Sequence, residues 1–230
     1  MNNKDLLIKV CGLTKPQNIE EIVQLNPALI GLIFYEKSPR HVDTFTLSSW
    51  FKSTGNALLG NSKKVGVFVN EEPEIILSRC LDFDLHFLQL HGNEDITYIN
   101  SLNILLKANH LEHIRLIKAF GVTDDFDFKA ISVFEIFISY FLFDTKTELK
   151  GGSGVKFKWS KLDEYKGNTP FLLSGGIGPI DYLDVLNLNH PKLAGIDLNS
   201  KFEISPGLKN VSLLQLFLHS LNEFRLNSKY

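Results

Sequence analysis

Cysteine is scarce in this sequence. Cys11 and Cys80 are the only two, too few for a disulfide framework and in keeping with a reducing compartment. Charge of one sign is also missing: 24 Lys+Arg stand against 26 Asp+Glu, a formal net charge of -2. That near-balance leaves no basic footprint for nucleic acid and no signal for anionic lipid. Long apolar runs are absent as well. Even VFEIFISYFLF (133–143) is interrupted by Glu135 and followed by Asp144, well short of the ~20 residues a membrane span needs. The opening MNNKDLLIKV carries charge early and has no apolar h-region, so a secretory leader is not expected. The seven histidines show no metal-ligand spacing, and no metal site is expected. These absences point to a cytoplasmic protein with no nucleic-acid or membrane partner.

What is present is a large apolar fraction, 44% of 230 residues, with no linker, low-complexity stretch or composition break. Short β-rich runs recur along the chain: LLIKVC (6–11), LIGLIF (29–34), KVGVFV (64–69), LHFLQL (85–90), RLIKAF (115–120), YFLFD (140–144), PFLLS (170–174) and LAGID (193–197). Each is followed by a turn and a longer helical pattern, the signature of parallel βαβ units. Eight such units close a barrel, whereas open doubly wound sheets more often have five to seven strands. The expectation is one (β/α)₈ domain over 1–230, a length of ~200–250 residues being usual for that fold.

Local signals agree. Pro16 suits the first turn of a helix running to Leu25. Asn93, Glu94 and Asp95 supply a cap and acids at a helix start, and SLLQLFLHSL (212–221) spaces its apolar residues for one face of a closing helix.

In such barrels chemistry sits beyond the C-terminal ends of the strands. There the sequence places CGLTK, YEKSPR, QLHGNE, DTKTELKGGSG, SGGIGP and DLNSKFEISPG, while the N-terminal ends carry nothing comparable. Cys11 closes the first strand and shares a face with Lys9. It is either a base or nucleophile, if its surroundings favour thiolate, or a small buried hydrophobe. Asp144 closes the sixth strand after an apolar run. An apolar wall would raise its pKa toward that of a general acid; the alternative is an aspartate that hydrogen-bonds loop amides. Gly175 and Gly176 after strand 7, with Asn199 and Ser200 after strand 8, fall where a phosphate site recurs in this architecture. Arg40 suits a carboxylate, or else it is solvated. Gln89 and His91 share a face at the end of strand 4, lining the mouth or serving structure. Cys80 reads as core packing. Gly151–Gly154 reads as a loop over the site or a flexible connection.

Taken in order, IKVCGLTKPQNI (8–19), GLIFYEKSPRHV (31–42), VGVFVNE (65–71), LQLHGNED (88–95), IKAF (117–120), LFDTKTELKGGSG (142–154), FLLSGGI (171–177) and GIDLNSKFEISPGLK (195–209) resemble the phosphoribosylanthranilate isomerases across nearly the whole chain. The resemblance implies an Amadori rearrangement of a small phosphorylated substrate in tryptophan biosynthesis, with no redox, metal or organic cofactor, by a monomer or homodimer. It makes Asp144 the general acid and Cys11 the general base. It puts the anthranilate carboxylate on Arg40, the phosphate on the Gly175–Gly176 and Asn199–Ser200 loops, and gives Asp197 a part in orienting the sugar. Two positions depart from the family pattern: His41 replaces a tyrosine after Arg40, and Lys158 replaces an aspartate before Trp159. Sugar-phosphate epimerases would need metal-ligand residues at strand ends. The histidine-pathway isomerase carries an aspartate where Cys11 stands. A non-catalytic ligand-binding barrel would not require both Cys11 and Asp144.

Overall fold

The computed structural model describes residues 6–54, 56–145 and 158–227. Eight strands close into a barrel in chain order: β1 (Leu7–Cys11), β2 (Leu29–Ile33), β3 (Lys63–Phe68), β4 (Phe87–Leu90), β5 (Arg115–Val122), β6 (Tyr140–Thr145), β7 (Phe171–Leu173) and β8 (Leu193–Leu198). Every neighbouring pair is parallel, and β8 pairs with β1 to seal the ring. Parallel neighbours need crossover connections. Helices α1 (Pro16–Val23), α2 (Thr44–Thr54), α3 (Pro73–Phe83), α4 (Ile96–Ala108), α5 (Tyr182–Asn187) and α6 (Val211–Asn227) supply most of the outer layer.

Strand alternation divides the apolar side chains between two cores. Leu29, Val65, Phe87, Ile117, Ala119, Leu142 and Leu172 fill the barrel interior. Their chain neighbours Ile30, Leu88, Leu116, Phe141, Phe143 and Leu173 point outward into the larger core beneath the helices. Burial on both faces is why these strands read as continuous apolar runs. The interior is not wholly apolar: Lys9, Gln89 and Asp197 are buried toward the C-terminal end of the barrel.

The expected alternation of strand and α-helix is interrupted twice. Between β5 and β6 the chain makes a 3-10 turn, Ser132–Phe134, and no α-helix. That stretch is rich in aromatic and β-branched residues. Phe126 and Phe134 pack against Phe120, and Phe128 against Phe143, as separate ring contacts, so the segment lies flat on the sheet. Between β6 and β7 the described residues form a 3-10 helix, Trp159–Glu164. Its N-cap, Lys158, makes no side-chain capping bond, as expected of a residue with no acceptor. Helix α1 also stops two residues before the expected Leu25, because Asn26 turns into the left-handed region at φ 54°. A hairpin that the sequence did not announce follows β8: β9 (Glu203–Ser205) with β10 (Leu208–Lys209). Gly207 turns it at φ 85°, where a Cβ would lie 2.6 Å from Thr14 Oγ1.

Candidate active site

Cys11 ends β1 inside the barrel and is 3% exposed. Its register partner on β2 is Gly31, and a Cβ there would come within 2.6 Å of the Cys11 sulfur. Glycine at 31 therefore makes the space the thiol occupies. One layer below, Lys9 Nζ donates to Asp197 Oδ1 at 2.9 Å across the β1–β8 seam. Burial pushes the Cys11 thiol up, while Lys9 and Lys209 oppose that rise and Asp197 adds to it. Burial alone would lower Lys9, but Asp197 and Cys11 outweigh it and hold the ammonium above its ordinary value. Burial, with Asp144 across the mouth, pushes the Asp197 carboxyl up against the pull of Lys9 and His91. The 2.9 Å contact supports the ion pair, since a buried ammonium is expensive without a counter-charge.

Asp144 lies near the end of β6, three strands from β1 by way of β7 and β8. Its side chain is 29% exposed, and its chain neighbours Phe141 and Phe143 belong to the outer core. Its neighbour is His91, with Nε2 3.6 Å from Asp144 Oδ2. Gln89 Nε2 lies 2.8 Å from His91 Nδ1. With the amide donating, Nδ1 accepts, and a neutral ring carries its proton on Nε2, facing Asp144. Gln89 and His91, expected on one face, thus form a chain that leads to the carboxylate.

The two loops expected to hold an anion follow β7 and β8. Gly175 and Gly176 take φ of 89° and 72°, which frees backbone for amide presentation at little steric cost. The Gly178 amide is spoken for by Asp181 Oδ2 at 2.6 Å, which fixes the far end of the loop. After β8, Asn199 leads into a 3-10 turn, Ser200–Phe202. Its Oδ1 accepts from Lys209 Nζ at 2.6 Å, so toward a ligand Asn199 has only its carboxamide NH₂ and backbone amide to offer. The Gly151–Gly154 loop lies outside the described residues.

Arg40 is not a solvated arginine. It forks onto Glu203, Nε at 2.9 and 3.0 Å from the two carboxylate oxygens and Nη2 at 2.7 Å. Sequence reasoning missed Glu203 and its second partner Lys209, and also the pair Glu94–Lys118 that holds the loop after β4. The available signal was lysine in an apolar strand: the ammonium of LIKAF cannot be buried without a partner. Cys80 sits in the core on α3, its thiol pushed up to about 12 by burial. Among the described residues no group of three or more His, Cys, Asp or Glu could hold a metal ion, and no helix is long and apolar enough to cross a membrane.

Fold and site together define a (β/α)₈ barrel with a thiol and a carboxylate on one mouth, beside two glycine- and amide-rich loops. The family model for N-(5'phosphoribosyl)anthranilate (PRA) isomerase matches residues 8–220, and the chain belongs to that family. The N-(5'-phosphoribosyl)anthranilate isomerase of Parabacteroides distasonis is 44% identical over 216 residues, covering 94% of this chain and 93% of its own. That of Phocaeicola vulgatus is 38% identical over 218 residues, covering 95% and 98%. The crystal structure of phosphoribosyl anthranilate isomerase from Thermotoga maritima superposes with a TM-score of 0.78 at 29% identity, over 95% of this chain and all of that one (100%). A phosphoribosyl anthranilate isomerase solved with reduced 1-(o-carboxyphenylamino)-1-deoxyribulose 5-phosphate superposes at 0.76 with 26% identity, over 95% and 100%.

Proposed function

We propose that Cys11 and Asp144 carry out the reaction that defines this family, the Amadori rearrangement of N-(5-phosphoribosyl)anthranilate to 1-(2-carboxyphenylamino)-1-deoxyribulose 5-phosphate in tryptophan biosynthesis. Asp144 protonates the furanose ring oxygen, and the ring opens to an imine. Cys11, as thiolate, removes the proton from C2, and the electron pair moves toward the substrate nitrogen. The enolamine that results tautomerises to the ketone. Arg40 takes the anthranilate carboxylate, and the loops at Gly175–Gly176 and Asn199–Ser200 take the phosphate. Anchoring both ends lets remote binding energy place the sugar between acid and base. Asp197, held by Lys9, lies under the sugar position and orients it.

The observation that carries this reading is the shared polar floor between the two groups. Lys9 bonds Asp197 directly beneath Cys11, and Asp197 in turn feels the charge of Asp144 and His91. Cys11 ends β1 and Asp144 lies near the end of β6, both at the C-terminal mouth of the closed barrel. Burial pushes the Cys11 thiol up, and Lys9 and Lys209 oppose that rise, in the direction of the thiolate that a base requires. The reaction needs no cofactor, since the substrate nitrogen is the electron sink. The reading keeps the chain in the cytoplasm as a monomer or homodimer. Loss of phosphoribosylanthranilate fluorescence with purified protein tests it: turnover is expected, and a rate no faster than background would overturn the assignment.

A further inference from the structure

The β9–β10 hairpin is wedged where β1, β2 and β8 end. Thr14 Oγ1 donates to Gly207 O at 3.0 Å. Asn18 Nδ2 donates to Lys209 O at 3.0 Å, and Lys209 N donates back to Asn18 Oδ1 at 2.7 Å. The hairpin is thus fixed to the β1 loop and α1 by bonds that do not involve Arg40. From this anchored piece Glu203 reaches Arg40. Glu203 Oε1 accepts from Arg40 Nε at 2.9 Å, Lys209 Nζ at 2.7 Å and Gly207 N at 3.1 Å. With three donors on one oxygen, the carboxylate is held in place before any ligand arrives.

Arg40 and Lys209 share this one carboxylate, a formal net charge of +1; burial lowers the Lys209 amine and Glu203 opposes that. It is nearly out of water: the side chains of Arg40, Glu203 and Lys209 are 15%, 5% and 0% exposed. A cluster with uncompensated positive charge at low exposure favours an anion. The bonds to Glu203 use Nε and Nη2, and of the five guanidinium hydrogens both on Nη1 are without a partner among the described residues and can serve a ligand. The location is also telling. A Cβ on Gly12, the residue after Cys11, would meet Arg40 Cδ at 2.8 Å and Asn199 Oδ1 at 2.9 Å. The guanidinium stem therefore lies against the chain at the proposed base.

We infer that Glu203, braced by Lys209, is a positioning residue: it locks Arg40 in the orientation that receives the substrate carboxylate, and so sets the preference for a carboxylated arylamine over an uncharged one. The inference rests on the reading that Arg40 binds that carboxylate. Charge alone makes the opposite prediction. Removing a negative charge beside Arg40 would strengthen its pull on an anion, whereas losing alignment weakens it, and small misplacements are expensive in a preorganised site.

The test compares kcat/KM for phosphoribosylanthranilate with that for the des-carboxy analogue, phosphoribosylaniline, and takes the ratio as the carboxylate preference. Glu203→Gln is expected to lower the preference by about tenfold or more, chiefly through KM for the carboxylated substrate. An unchanged or higher preference overturns the inference. Glu203→Asp keeps the charge but shortens the reach; it should lose preference too, and it decides the question in the same way if Glu203→Gln does not fold. Arg40→Gln separates the two levels. If it abolishes the preference while both Glu203 variants keep it, this inference alone fails. If it leaves the preference intact, the Arg40 reading fails and takes this one with it.

Discussion

Glu94 and Lys118 form an ion pair at 2.9 Å with side chains only 1% and 2% exposed. Lys118 comes from β5, and Glu94 from the loop after β4, the loop that carries His91. The same carboxylate accepts from the Asn70 amide at 2.8 Å and from the Gly92 amide at 2.9 Å, so it ties the loops after β3 and β4 to β5. Burial lowers the Lys118 amine from its ordinary value, with Glu94 opposing.

Removing one partner of a buried pair strands the other charge, at a cost of about 3–5 kcal/mol. Glu94→Ala should lose stability of that order in denaturant titration. The double substitution Glu94→Leu with Lys118→Met should recover part of the loss. It should not recover all of it, because the Asn70 and Gly92 amides are still left without their acceptor. A Glu94→Ala loss below about 1 kcal/mol would mean the pair is far better solvated than its burial indicates.

Gly31→Ala puts a methyl group 2.6 Å from the Cys11 sulfur and 3.0 Å from its Cα. Overpacking of this kind costs about 1–3 kcal/mol, a fall of a few degrees in Tm for a chain of this size. The prediction is a loss in kcat well beyond that modest destabilisation, since the thiol must move off its position. Wild-type kcat in a folded Gly31→Ala protein would contradict the account of why glycine stands there.

Gly176 separates backbone strain from charge. At φ 72° any side chain is strained, so Gly176→Ala should weaken binding somewhat. Gly176→Asp adds a negative charge facing the phosphate and should raise KM well above the alanine value. Equal KM values for the two variants would argue against phosphate at this loop.

Much of the fold was legible because its signals are local. All eight strands appear within two residues of the expected ends, since strand burial on both faces leaves continuous apolar runs. Lys9 and Cys11 were placed on one face by alternation alone. What the sequence hid is what depends on distant register. Asp197 meets Lys9 across 188 residues, and Arg40 meets Glu203 across 163; no local pattern encodes either. The missing helix after β5 escaped for a different reason. A run rich in Phe and Ile has the apolar content of a helix face, but its rings found individual partners on the sheet.

Glu203 also gives a pH dependence with a definite sign. Burial would raise its pKa, but the hydrogen bonds from Arg40 and Lys209 outweigh that and hold it below the usual carboxylate range. A depressed folded pKa contributes stability that is present above the unfolded value, about 4.3, and is lost as pH falls through the folded value. Stability of wild type relative to Glu203→Gln should therefore be constant near neutral pH and shrink below about pH 4.3. A difference that grows on acidification would reverse the sign and contradict the assignment.

If Cys11 is the base and Asp144 the acid, kcat of the two single variants must show it. Asp144→Asn and Cys11→Ser should each fold, retain KM within a small factor and lose about 10²–10⁴-fold in kcat on phosphoribosylanthranilate. If either variant keeps kcat near wild type, that residue is not the proton-transfer group assigned to it, however well the barrel places it.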